Sequence, residues 1–131
     1  MEAGNNKLVN TKAGVYQIFI EVGQECTIII GKLGSFVFPK GKYIYTGRAR
    51  RNLSQRINRH YRSDKKYFWH IDYFLSDERV KITDISIKSD NFNDECVENK
   101  KIIDSNSTIV VDKFGSTDCK NNCGAHLLLI N

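Results

Sequence analysis

A chain of 131 residues is the size of one domain, and its 40% hydrophobic content is enough for a real core. The longest apolar runs are only a few residues, which excludes a membrane-spanning helix, and the polar start "MEAGNNKLVNTK" lacks a signal-peptide core, so the cytoplasm is the expected compartment. The net charge of +5 is unevenly spread: residues 39–66 hold ten Lys or Arg against Asp64 alone, while residues 67–131 lean acidic, the footprint of a polyanion binder.

Residues 1–12 are expected to fray as a flexible N-terminus, leaving 13–131 as a single domain. "GVYQIFIEV" (14–22) reads as a buried strand and "ECTIIIGKLG" (25–34) as a second, with "EVGQE" and its Gly23 as a hairpin turn between them. "GSFVFPKG" is a short extended piece closed by Pro39 and Gly41. "KYIYTG" (42–47) is another strand, ended by Gly47. The pattern then turns helical. Asn52 with Gln55 three residues on forms a capping-box pattern, and Leu53, Ile57 and Tyr61 form the expected buried stripe. Arg56 and His60, four apart, share a different face. "RSDKK" is a polar break. "YFWHIDYFLS" reads as a second short helix with Phe68, Ile71 and Leu75 inward. "VKITDISIK" (80–88) alternates as a strand, and "NDECVENKKIID" (93–104) reads as a helix with Asp94 and Glu95 in its first turn, where the dipole favours acids. "STIVVDKF" is short and extended, and "AHLLLIN" is a final apolar strand. This order implies an α+β domain: a small, mostly antiparallel sheet flanked by helices, with an N-terminal hairpin added.

Lys40, Lys42, Arg48, Arg50, Arg51, Arg59, Arg62, Lys65 and Lys66 are the candidate nucleic-acid contacts; the plainer alternative is a solvated basic face. Cys26, Cys96, Cys119 and Cys123 are too sparse for a disulfide framework, and reduced thiols are expected. Cys119, Cys123 and His126 are zinc-type ligands, but they number three and lack the CxxC spacing, so zinc is not expected. His70 and Asp72, two apart on a helix, share no face and read as structural.

Gly14-Val15-Tyr16 in one strand and Tyr45-Thr46-Gly47 in a later one, followed by a helix with Arg56 and His60, resemble the paired motifs of the GIY-YIG nucleases. The fuller similarity is to one mostly archaeal, uncharacterised branch, formerly a domain of unknown function, which also occurs fused to endonuclease III-type proteins. "KKYFWHIDYFL" is similar to its internal signature, and "FGSTDC" followed by "AHLLL" to its C-terminal one. The likeness runs from about Gly14 to Leu129. It implies a metal-dependent endonuclease, plausible in DNA repair. In that reading Tyr16 is the general base toward the attacking water, Tyr45 helps orient the water, Arg56 holds the scissile phosphate, and His60 donates or relays a proton. Glu95 would ligate one Mg²⁺ or Mn²⁺, with Glu98 competing for that role. A free tyrosine titrates near 10, so Tyr16 needs positive charge beside it to act at neutral pH, and the arginines are the expected source. The implied partners are nucleic acid, with DNA favoured over RNA, and an endonuclease III-type repair protein. Two departures stand out. Tyr16 and Tyr45 lie 29 positions apart, wider than is usual for these nucleases, and Arg48-Ala49 follow Gly47 where small hydroxyl residues are more usual. They leave a non-catalytic nucleic-acid-binding module, or a scaffold for a repair protein, as the alternative.

Overall fold

The first strand, Gly14–Val22 (β1), has Val15, Ile18, Ile20 and Val22 all buried. A strand covered on both faces belongs in the middle of a sheet. In the computed structural model, which describes residues 12–115 and 125–131, β1 is flanked by Gly41–Ala49 (β4) and Val80–Ser89 (β5), both antiparallel to it. Ser107–Ile109 (β6) and Leu127–Ile130 (β7) complete a five-stranded sheet in the order β5-β1-β4-β7-β6, antiparallel throughout. The expected α+β class with a small antiparallel sheet is the observed one.

Cys26–Ile30 (β2) and Gly34–Phe38 (β3) form a separate two-stranded hairpin between β1 and β4. Its alternation is clean. Cys26, Ile28, Ile30 and Phe38 face the core, while Ile29 and Val37 face out. Gly31, at φ 50°, ends β2 in a conformation that favours glycine, with the Tyr73 ring 3.1 Å from where a Cβ would stand. The added hairpin is therefore real, but its turn is not "EVGQE". Both edges of β1 are taken by β4 and β5, so β2 pairs with β3, and the Gly23 amide instead donates to the Arg79 carbonyl at 2.9 Å.

Three helices pack around the sheet among the described residues. Leu53–Tyr61 (α1) begins without the expected cap: Asn52 sits in the left-handed region at φ 57°, and its side chain makes no capping bond. The buried side of α1 is Leu53 and His60, with Ile57 packed against the core and Arg56 half-buried, and Tyr61 is 57% exposed. The stripe therefore runs at 53, 57 and 60. A neighbouring tyrosine supplies the hydrogen bond that a buried histidine needs, so His60 can take the inward position that apolarity alone assigns to Tyr61. His70–Leu75 (α2) buries Ile71, Asp72 and Phe74, whereas Phe68, expected to face inward, lies before the helix and is 72% exposed. Glu95–Ile103 (α3) follows a short 3₁₀ turn at Phe92–Asp94 and packs against β4 and β6.

Strand register decides what meets the helices. Tyr16, Ile18 and Ile20 stand opposite Gly47, Tyr45 and Tyr43, on one face of the sheet. This face meets α1 and α2, with the Tyr43 and Phe74 rings 5.5 Å apart and the Phe38 and Phe74 rings 4.8 Å apart. The opposite face carries Gln17 and Thr46, both buried and joined by a 3.2 Å hydrogen bond. The expectation of a frayed N-terminus falls on residues 1–11, outside the described residues. Lys12 is described, and its carbonyl accepts from the Leu53 amide at the start of α1.

Candidate active site

The two tyrosine motifs meet by pairing. Tyr16 and Gly47 are direct cross-strand partners, because the 29 positions between Tyr16 and Tyr45 are absorbed by the β2–β3 hairpin outside the main sheet. The Tyr16 ring lies over Gly47: a Cβ there would stand 2.7 Å from both Cζ and the hydroxyl oxygen. Glycine at 47 is thus a requirement of the tyrosine opposite, at the level of packing.

His60 rises from α1 to place Nε2 2.7 Å from the Tyr16 hydroxyl. Its ring also stands 6.5 Å from that of Tyr45 and 6.2 Å from that of Trp69. Burial, followed by the positive charge of Lys65, pushes the His60 imidazole down to about 3, so it is neutral near pH 7. Burial pushes the Tyr16 hydroxyl well up. Arg56 acts against burial through its charge and a hydrogen bond, and burial wins. Tyr45 is also raised well above its ordinary value, again by burial first and then by the neighbouring Tyr16. The expected lowering of Tyr16 by the arginines is therefore present but outweighed, because the fold takes the phenol out of water as it brings the guanidinium in.

Arg56 is held on three sides. Nη1 donates to the Arg48 carbonyl at 2.8 Å, the guanidinium carbon lies 4.3 Å from the centre of the Trp69 ring, and Tyr16 is its phenol neighbour. Arg59 lies over the same indole at 4.4 Å, but its fork is closed on Asp72, with Nη1–Oδ1 at 2.8 Å and Nη2–Oδ2 at 3.1 Å. The Asp72 carboxylate also accepts from the Phe68 and Trp69 amides, capping α2. Burial works to raise the Asp72 carboxyl, and Arg59 with these two amides outweighs it, holding the group below the usual range. Asp72 is thus structural, and so is His70, whose Nδ1 accepts from the Gly115 amide at 2.8 Å.

Glu95 opens α3 and reaches the cluster from another side. Oε1 stands 3.4 Å from Arg48 Nε, and Oε2 stands 3.4 Å from His126 Nδ1. Its charge is felt by both Tyr16 and Tyr45. Glu98, the competing ligand, pairs with Lys101 at 3.2 Å. Among the described residues no group of three metal-ligating side chains gathers. Among those residues Glu95 is the carboxylate at hand, the kind of single donor that a hard cation can take beside water and a substrate phosphate. His126 is a site residue that sequence reading missed, having been weighed only as a zinc-type ligand. It is 1% exposed, and its ring nitrogens make no hydrogen bond although Nδ1 faces Glu95. No sequence spacing links positions 95 and 126.

The basic block is not one patch. Lys42 stands at the opposite end of β4 from Arg48, about 20 Å away at ~3.3 Å per residue, and Lys40 lies just before that strand. The Lys65 ammonium donates to the Arg59 and His60 carbonyls, closing the C-terminus of α1. Arg50 lies over Phe92 at 5.0 Å, and Arg50, Arg51, Arg62 and Lys66 are exposed. Of the cysteines, Cys26 is free and buried, while Cys96 is disulfide-bonded. The bonded state of Cys96 corrects the expectation of reduced thiols. That expectation rested on compartment and spacing, neither of which shows what the fold brings together. Cys119 and Cys123 lie outside the described residues.

With this geometry in place, one comparison decides the family. The family model described as domain of unknown function DUF123 matches residues 15–131. The chain belongs to the DUF123 family. The match takes in Tyr16, Tyr45, Arg56, His60, Glu95 and His126. No curated protein and no solved structure matches the chain. Among the described residues of this DUF123 domain no helix is long and apolar enough to cross a membrane.

Proposed function

We propose that this DUF123 domain is a GIY-YIG-like, metal-dependent endonuclease that binds nucleic acid and hydrolyses a phosphodiester. The observation that carries the reading is the convergence on the Tyr16 hydroxyl, on β1, of His60 Nε2 at 2.7 Å and the Arg56 guanidinium from α1 and the charge of Glu95 from α3. Arg56 is the group to hold the scissile phosphate. Its planar fork suits phosphate oxygens, and Trp69 with the Arg48 carbonyl fixes the fork beforehand. Tyr16 starts as a buried phenol, so its role is to pass a proton on. The neutral His60 Nε2 is the acceptor within reach, and a phosphodiester beside it adds negative charge that raises its proton affinity. Glu95 would hold Mg²⁺ or Mn²⁺, which would stabilise negative charge on the leaving oxygen. Tyr45, stacked edgewise on His60, keeps that ring in place.

One observation favours the alternative of a non-catalytic binding module: both Glu95 oxygens already face Arg48 and His126. Arg48 is 40% exposed on its side chain and free to swing away toward a phosphate, which returns the carboxylate to a cation. A role in DNA repair beside an endonuclease III-type protein belongs to this proposal on the strength of the family likeness alone. The test is incubation of the pure protein with branched, single- and double-stranded DNA and RNA in Mg²⁺, Mn²⁺ or EDTA. Metal-dependent strand cutting that disappears in Glu95→Gln is the expected result. Binding without cutting under every condition leaves the binding module.

A further inference from the structure

A cavity of about 290 Å³, with His60 among its lining residues, lies between α1, the segment leading into α2, and β5. His60, Tyr61, Arg62, Lys65, Tyr67 and Lys81 supply its chemistry. Three features are unusual together. Tyr61 and Tyr67 are 57% and 42% exposed, large aromatic surfaces that the fold leaves in water. Arg62, Lys65 and Lys81 line one small space with no acid among the lining residues; Lys65 is engaged by two helix carbonyls and Arg62 pairs with the exposed Asp64 at 3.5 Å, which leaves Lys81. His60, 3% exposed, is among the residues that line the cavity, while its Nε2 is engaged by Tyr16, so one side chain belongs to both places.

We infer that this cavity receives one unpaired nucleotide of the bound nucleic acid. The inference rests on the nucleic-acid reading above and adds to it a preference for a strand with a free base. The flat faces of Tyr61 and Tyr67 provide for the base, because every base stacks on an aromatic ring whatever its sequence. Lys81 meets its phosphate, together with Arg62, whose 3.5 Å pair with Asp64 is exposed to solvent and readily exchanged. The volume stands near the lower end of small-ligand pockets, which runs from roughly 300 Å³, enough for a single nucleotide and too little for a duplex. A free inorganic anion would satisfy the cations but would leave the two phenol rings without a purpose. Because His60 is shared, a nucleotide seated here sets the neighbouring phosphodiester beside Tyr16 and Arg56. The junction between paired and unpaired strand then falls at the candidate active site.

The experiment is a fluorescence-anisotropy titration of labelled duplexes, one blunt and one carrying a short single-stranded flap, with the wild type, Tyr61→Ala and Lys81→Ala. Both substitutions are at exposed positions and leave the core intact. The flapped duplex is expected to bind the wild type about tenfold more tightly than the blunt one, from stacking of a single base. Each variant should lose most of that preference while its affinity for the blunt duplex stays within about twofold. Equal binding of the two duplexes by the wild type overturns the inference, as does a preference that survives both substitutions. Failure of both duplexes to bind the wild type is a different result: it removes the nucleic-acid reading, and this inference falls with it.

Discussion

Replacing Asp72 with alanine tests the scaffold that holds Arg56. The Asp72 side chain is fully buried and receives four hydrogen bonds: 2.8 Å from Phe68 N, 3.0 Å from Trp69 N, and 2.8 and 3.1 Å from the Arg59 fork. Asp72→Ala removes both acceptor oxygens and so all four hydrogen bonds at once. It uncaps a helix of only six residues and leaves a guanidinium with 18% side-chain exposure without its counter-charge. Breaking one side of a buried pair costs about 3–5 kcal/mol. A domain of this length has a total stability of roughly 7–20 kcal/mol, so the loss is a large share of it. Urea unfolding followed through Trp69, the only tryptophan in the chain, is the assay, and its signal comes from the residue that Arg56 and Arg59 both cover. Arg59→Ala should cost less, about 2 kcal/mol, because the Phe68 and Trp69 amides still satisfy the carboxylate. The double variant should reveal a coupling of at least about 1.5 kcal/mol. A loss below about 1 kcal/mol for Asp72→Ala, or additive single losses, refutes the reasoning. Arg59 would then be free for phosphate, and its alanine variant should lower the salt slope of nucleic-acid binding by about one contact.

Four other outcomes are expected. Arg56→Ala should lower any cleavage rate by about 10²–10³, with only a modest loss of binding; an equal loss of both would make Arg56 an ordinary phosphate contact. Gly47→Ala should cost about 1–3 kcal/mol in thermal or urea unfolding and displace the Tyr16 ring; wild-type stability with the Tyr16–His60 contact intact in the variant's crystal structure would contradict the packing argument. His60 has its folded pKa lowered to about 3 against ~6.5 unfolded, so its contribution is fully present above ~6.5 and drains away as pH falls; stability should drop by about 2 kcal/mol between pH 6.5 and 5, and His60→Gln should flatten that dependence. Since Lys40 and Lys42 stand apart and Arg59 and Lys65 are engaged, about five exposed cations remain near the site, and the log–log salt slope on duplex DNA should be no steeper than about −4.5, with Lys42→Ala leaving it unchanged.

The strands and helices were legible because their cause is local. The period-two alternation of 80–88 and the apolar run of 14–22 are properties of neighbouring residues, and the observed elements lie within a few positions of those expected; Gly47, read as a strand end, instead lies within β4, which runs on to Ala49 because β1 pairs with it that far. The order of Tyr16, Tyr45, Arg56, His60 and Glu95 along the chain was legible through family likeness. Four matters were decided only by the tertiary structure. The partner of β1 is β4 and not the adjacent β2, because an inner strand can be satisfied by any strand that brings two free edges to it, and sequence proximity does not rank them. The inward residue at the end of α1 is His60 and not Tyr61, because a hydrogen bond from a residue 44 positions away outweighs the apolar pattern. The basic block divides into exposed cations, a helix-closing lysine and an arginine locked to Asp72, because charge counted along a chain does not record what each side chain meets. His126 beside Glu95 belongs with these, since it takes β7 returning alongside β4 to bring the two together.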